Sequence, residues 1–214
     1  MKTFFALCAF STIAAAQPIG VGIKVGVPLT DAFEIGSSSN ATYTAKTKRW
    51  IVGPQVELRL PAGFAIEADA LYTKLNFSSA SSLAGSVASS VTDADSWEFP
   101  VLLKKKFGGA NAVAASVRPF ISTGASFRRL MDIRQIRTFA TGGTPLASSN
   151  PSELRDKNSV GFVIGGGLEI RALIFRISPE VRFTRWGADN FASGVAGVFN
   201  TNRNQGQLLV GFHF

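Results

Sequence analysis

The sequence predicts an all-β chain, an eight-stranded antiparallel up-and-down transmembrane β-barrel with short periplasmic turns and long extracellular loops. Three observations predict it. Eight stretches alternate apolar and polar residues with period two, the mark of a strand with one apolar face. The connections between them alternate long and short. After residue 16 no window offers about 18 consecutive apolar residues, so nothing reads as a membrane-spanning helix.

The N-terminus comes first. Lys2 precedes the apolar run Phe4-Phe5-Ala6-Leu7-Cys8-Ala9-Phe10, which continues through Ile13 to Ala14-Ala15-Ala16. A charged start, an apolar run too short to span a bilayer and an A-x-A site are the parts of a cleaved secretory signal peptide. Residues 1–16 are therefore expected to be removed, leaving residues 17–214 as the barrel domain. Cys8 is the one cysteine and leaves with the leader, so neither a disulfide nor a thiolate metal site is expected.

In the first strand, IGVGIKVGV, Ile19, Val21, Ile23, Val25 and Val27 share one face, with Gly20, Gly22, Lys24 and Gly26 on the other. RWIVGPQVELRL sets Trp50, Val52, Pro54, Val56, Leu58 and Leu60 against Gln55, Glu57 and Arg59. GFAIEADALY sets Phe64, Ile66, Ala68, Ala70 and Tyr72 against Glu67 and Asp69. In WEFPVLLKKKF the apolar face holds Trp97, Phe99, Val101, Leu103 and Phe107, opposite Glu98, Lys104 and Lys106. VRPFISTGASF gives Ile121, Ala125 and Phe127 against Arg118, Ser122 and Ser126. VGFVIGGGLEI gives Val160, Phe162, Ile164 and Leu168 against Gly161, Gly165, Gly167 and Glu169. LIFRISPEVRF gives Leu173, Phe175, Ile177, Val181 and Phe183 against Arg176, Ser178, Glu180 and Arg182. GQLLVGFHF closes the series with Leu208, Val210, Phe212 and Phe214.

Residues 28–48, 78–95, 129–158 and 187–205 are long and polar; Pro61-Ala62, the Gly/Ala segment 108–116 and Arg171-Ala172 are short. Long loops on one side and short turns on the other, with an even strand number, are the outer-membrane barrel pattern. On that reading Trp50, Tyr72, Trp97 and Phe127 ring the long-loop rim. Phe64, Phe107 and Phe214 ring the short-turn rim, at the two headgroup levels. Lys105 falls on the apolar face near a strand end, where its stem lies in lipid while the ammonium snorkels. The last strand must pair with the first, because lipid offers no hydrogen bond to an open edge.

Eight strands leave an interior just wide enough for side chains. Its inward set holds Glu57, Glu67, Asp69, Glu98, Glu169 and Glu180 with Lys24, Arg59, Lys104, Lys106, Arg118, Arg176 and Arg182, which predicts a structural ion-pair plug. The chain carries 22 Lys and Arg against 14 Asp and Glu, net +8. They are spread along it rather than clustered with aromatics, which argues against nucleic acid.

Little chemistry is expected. His213 is the only histidine, and no nucleophile, base and orienter stand out around it. One histidine without cysteine makes no zinc site. Asp93 and Asp95 fall short of the oxygens Ca²⁺ needs. No catalytic, cofactor or metal residue is assigned, and no cofactor is expected.

A C-terminal strand ending in Phe resembles the signal of bacterial outer-membrane proteins, which implies reading by the barrel-assembly machinery. WEFPVLLKKKF, VRPFISTGASF, GFVIGGGLEI and SPEVRFTRW resemble the PorT-like, OmpA–OmpX-type outer-membrane barrel family. The resemblance covers most of residues 17–214 and implies a cell outer membrane location and a barrel fold. The expected role is a non-catalytic, monomeric barrel acting in membrane structure or surface interaction, with outer-membrane lipid and the assembly machinery as partners. The alternatives are a narrow transport pore and an exported soluble lipocalin-like binder of an apolar ligand. At the long-loop rim Arg128, Arg129, Arg134, Arg137 and Arg185 are expected to form a basic collar for lipid phosphates.

Overall fold

A computed structural model describes residues 19–35, 41–45, 49–83, 86–108, 117–142, 144–172, 174–192 and 198–214. The leader 1–16, most of the Gly/Ala segment 108–116 and Leu173 lie outside the described residues. Eight long strands carry the architecture: β1 (Ile19–Pro28), β2 (Ile51–Arg59), β3 (Phe64–Asp69, resumed as Leu71–Leu83), β4 (Ser86–Lys106), β5 (Val117–Phe139), β6 (Asn158–Ala172), β7 (Phe175–Trp186) and β8 (Asn204–His213). The two parts of β3 form one strand across Ala70, whose N–H donates to Pro54 O at 3.0 Å.

Each strand pairs antiparallel with its sequence neighbours. The ring then closes between β1 and β8, with Val25 opposite Val210 and Ile23 opposite Phe212. Closure leaves the barrel wall no open edge, which is what a sheet in hydrocarbon requires.

The faces fall as the alternation predicts. Val21, Ile23, Val101, Ile121, Phe162, Ile164, Val181 and Phe212 are exposed on the outer wall, whereas Lys24, Glu67, Lys104, Glu180 and Arg182 are buried inside. A soluble binder of apolar ligands needs the reverse, an apolar interior and a polar exterior. The lipocalin-like alternative is therefore set aside by the faces themselves.

Aromatic rings mark both ends of the wall. Trp50, Tyr72, Trp97 and Phe99 run round one end with centroids 5.5, 5.3 and 6.3 Å apart in turn. At the other end Phe175 and Phe214 meet edge to face at 6.0 Å. There Lys105 donates to Ala62 O at 2.6 Å and sits 4.1 Å over the Phe64 ring. Its stem lies along the apolar wall and its charge turns back to the turn, as a snorkelling lysine does.

The long connections differ most from expectation. Residues 78–83 and 86–95 are not a loop but the tops of β3 and β4, paired from Ser78–Val91 to Leu83–Ser86. β5 likewise runs up to Phe139 along β4. A short strand, Ala41–Ala45, adds to β3, and Leu146–Ser148 adds to β5. Phe33–Ile35 pairs with Phe199–Thr201. These segments stand beyond the aromatic ring as a β-structured extension.

A bulge sets the extension's inner face. Between Asp95–Met131 and Asp93–Arg134 the register shifts by one residue, and Asp132 takes φ 47°. An extra residue on one strand reverses which parity points inward. Below the bulge Ser126, Arg128 and Leu130 face in; above it Ile133 and Gln135 do. The main apolar core lies here, above the barrel, where Phe33, Leu75, Phe77, Ala94, Leu130, Ile133, Phe191 and Phe199 are buried together.

Candidate functional site

The barrel interior is the candidate site, and it is filled in layers. The middle layer comes from alternate residues of β1, β3, β4 and β7, which the strand period delivers to one height. Lys24 Nζ lies 2.5 Å from Glu67, 3.1 Å from Asp69 and 3.3 Å from Glu180. Arg182 reaches the same three carboxylates, each at 3.0 Å. Lys104 holds the other oxygen of Glu67 at 2.5 Å and lies 4.3 Å over the Phe120 ring. Ser122 donates to Glu180 at 3.0 Å.

Three carboxylates thus face three cations, and all six side chains are buried. Charges taken from water need both opposite sign and hydrogen bonds to remain ionised, and this layer supplies both. Glycine makes the room. A Cβ on Gly165 would fall 2.8 Å from Glu180 Oε1 and 2.7 Å from Ser122 Oγ. That position on β6 therefore has to stay bare for Glu180 to lie across the lumen.

Nearer the short turns, Lys106 bridges Glu57 at 2.7 Å and Glu169 at closer range. His213 packs beside them, its Nδ1 accepting from Gln55 Nε2 at 3.1 Å. Glu57 also takes Arg59 at 3.4 Å. Glu57, Glu169 and His213 present ligand atoms within 4.8 Å of one another, a metal-like grouping that the sequence reading treated as separate residues. The Lys106 ammonium lies between the two carboxylates, with Arg59 adding a second positive charge. A divalent ion would have to displace one cation and face the other, so the residues present do not fit a metal centre.

Nearer the long connections, Arg128 holds Glu98 at 2.6 Å and donates to Gln205 Oε1 as well. Its guanidinium lies 3.8 Å over the Trp186 ring, and Trp186 Nε1 donates to Gln205 at 3.1 Å. Gln207 donates to the second oxygen of Glu98 at 3.1 Å.

Above this layer sits the aromatic cap. Phe33 meets Phe77 edge to face at 5.2 Å and stacks on Phe199 at 5.1 Å; Phe77 and Phe191 meet at 5.3 Å. Tyr43 stacks on Phe199 at 4.6 Å. Burial, reinforced by the nearby Glu153 carboxylate, raises the Tyr43 hydroxyl above its usual pKa, so it packs as a neutral ring.

Of the expected ion-pair residues, all are brought into ion pairs except Arg118 and Arg176, which make none among the described residues; the basic collar expected at the rim fares differently. Arg128 belongs to no basic collar, because its inward parity and its bond to Glu98 bury it in the lumen. Arg129, Arg134 and Arg185 stay exposed, but Arg134 stands above the Asp132 bulge and away from the wall. Asp93 and Asp95 lie on β4 rather than in a loop, where Asn76 and Tyr72 donate to them at 2.7 and 2.8 Å. The aromatic cap was missed altogether. Its signal was the presence of Phe33, Tyr43, Phe191 and Phe199 in connections otherwise rich in Ser, Thr, Asn and Gly, with Phe77 directly before the segment 78–95.

Comparison with known proteins agrees with this architecture. The family model for an outer membrane protein beta-barrel domain matches residues 15–187. Among solved structures, the chain is similar to the outer membrane protein OprG of Pseudomonas aeruginosa, with a TM-score of 0.55 and 14% identity over 91% of this chain and 92% of that one. Neisserial surface protein A is similar with a TM-score of 0.47 and 13% identity, covering 92% of this chain and 96% of that one. No curated protein matches.

Proposed function

The chain belongs to the outer membrane protein beta-barrel domain family, and from that membership we propose that it is a non-catalytic barrel acting at the cell surface rather than as a pore. It resides in the cell outer membrane, with the short turns on the periplasmic side and the β-structured extension outside. The observation that carries the proposal is the filled lumen: the layer of Lys24, Lys104 and Arg182 against Glu67, Asp69 and Glu180 lies under a buried aromatic cap. Such packing fills the lumen with paired side chains among the described residues, which supports occlusion and a rigid platform for the extension.

The same reading assigns the remaining roles. Residues 1–16 direct export and are cleaved. The β8 strand, with Phe214 after it, is read by the barrel-assembly machinery, and the finished barrel is a monomer in contact with outer-membrane lipid along its apolar wall. No cofactor is needed. His213, the one imidazole, is hydrogen-bonded to Gln55 and lies 4.0 and 3.7 Å from Glu57 and Glu169 rather than beside a hydroxyl nucleophile, which supports a non-catalytic role.

Planar-bilayer recording tests the proposal. The purified wild-type barrel is expected to insert without giving stable conductance steps. A steady open channel in the wild type would overturn occlusion and establish the narrow-pore reading instead.

A further inference from the structure

The outer wall is not uniformly smooth. Near the extracellular end of β5, β6 and β7 it carries a shallow, open depression. Its floor is made by the small residues Gly124, Ala125 and Gly161, and Val160 and Phe162 form its sides. Gly161 is required from within: a Cβ there would fall 2.9 Å from the Trp186 ring. Trp186 is buried inside the wall, so the inward position of Gly161 has to stay bare for it.

Two arginines stand at the top of the hollow, Arg185 and Arg203. Arg185 is the last outward-facing residue of β7, following Val181 and Phe183, so it marks the height at which the wall passes from hydrocarbon to headgroups. Neither guanidinium is loose. Arg185 donates to Asn204 Oδ1 at 2.8 Å. Arg203 donates to Trp186 O at 3.2 Å and to Gly187 O at 2.5 Å. Both side chains nevertheless remain exposed, and neither has an ion-pair partner among the described residues. Two fixed, uncompensated cations above an apolar hollow complement a molecule with an anionic head and an apolar tail.

We propose that this cleft binds a phosphorylated lipid of the outer leaflet. One acyl chain lies on Gly124, Ala125 and Gly161 beside Phe162, and the phosphate is clamped between Arg185 and Arg203. Guanidinium forks match phosphate oxygens in pairs, and the neighbouring hydrocarbon limits the screening that weakens exposed pairs. The proposal names one site on one side of the barrel, in place of a collar round the rim. It rests on the outer-membrane location and is independent of lumen occlusion, so either can fail without the other.

The full barrel, refolded in a neutral detergent, would be titrated with dioleoyl phosphatidylglycerol and separately with dioleoylglycerol, which has the same tails and no phosphate. Retained lipid would be counted by native mass spectrometry. One phosphatidylglycerol per chain is expected, held about tenfold more tightly than dioleoylglycerol, the worth of one charge-assisted hydrogen bond. The double variant Arg185→Gln/Arg203→Gln is expected to lose that preference, and Arg185→Lys/Arg203→Lys to keep part of it. Ala125→Leu, which fills the hollow while keeping both charges, is expected to weaken retention of phosphatidylglycerol. Arg129→Gln, a rim cation outside the cleft, is expected to change nothing, and inorganic phosphate is expected not to compete. Folding of each variant is verified by its faster migration on unboiled gels. No preference in the folded wild type, a preference that survives the folded double Gln variant, or an equal loss in Arg129→Gln would overturn the site. Competition by inorganic phosphate would overturn the lipid as its occupant.

Discussion

With Arg182 replaced by Met, the folded barrel is expected to lose about 3–5 kcal/mol of stability, the usual consequence of stranding a buried charge by deleting its partner. Arg182 touches Glu67, Asp69 and Glu180, and its loss leaves those three carboxylates to Lys24 and Lys104 alone. Urea unfolding in detergent, followed by the gel shift and by tryptophan fluorescence, measures the loss. Adding Glu180→Gln removes one stranded charge, so the double variant is expected to recover part of the deficit. That recovery is a coupling, which two independent sites would not show. An Arg182→Met barrel as stable as the wild type would mean that the middle layer is hydrated and contributes no net stability.

The second large effect belongs to the outer wall. Ile121 and Val181 are 57% and 54% exposed, both opposite Gly166 near the middle of β6, and in the bilayer that exposure is to hydrocarbon. Arg at either position is expected to cost ~2–4 kcal/mol at mid-bilayer depth and to block assembly into the outer membrane. Unboiled gels of membrane fractions report it: the wild type migrates as a compact barrel, and Ile121→Arg and Val181→Arg should not. Lys105 shows why position decides. Its charge is tolerated on the same face because it lies at the wall's end, within reach of Ala62 O. Normal insertion of both variants would mean that the faces are inverted.

The wall was legible in the sequence because membrane and lumen impose opposite demands on successive residues. Lys24 between Ile23 and Val25, or Glu180 and Arg182 around Val181, can be read without knowing any partner. Arg128 can be read in the same way, since it shares the parity of Ser122 and Ser126. Above the membrane the demand disappears. The Ser and Ala residues of β3 and β4 from Ser78 to Ser90 pair as strands without an apolar face, so polarity alone made them look like a loop. The Asp132 bulge then reverses the phase of β5, which breaks any period-two pattern carried across it. The aromatic cap joins Phe33, Phe191 and Phe199 from two separate connections with Phe77 of β3. Contacts at such separation leave no local period to read. The grouping of Glu57, Glu169 and His213 was hidden for the same reason, since three strands supply it.

Nitroxide scanning along β5 tests the account most directly. The chain's only cysteine, Cys8, precedes β1, so single cysteines can be placed at will once it is removed. In bilayers, labels at Ile121, Thr123, Ala125 and Phe127 are predicted to meet lipid-dissolved oxygen, while labels at Phe120, Ser122 and Ser126 meet neither oxygen nor a water-soluble relaxer. Past Asp132 the phase is predicted to invert, with Ile133 and Gln135 shielded and Arg134 and Ile136 open to water. Accessibility in the opposite phase, or none that alternates, would contradict a barrel with its apolar face in the membrane and its charges inside.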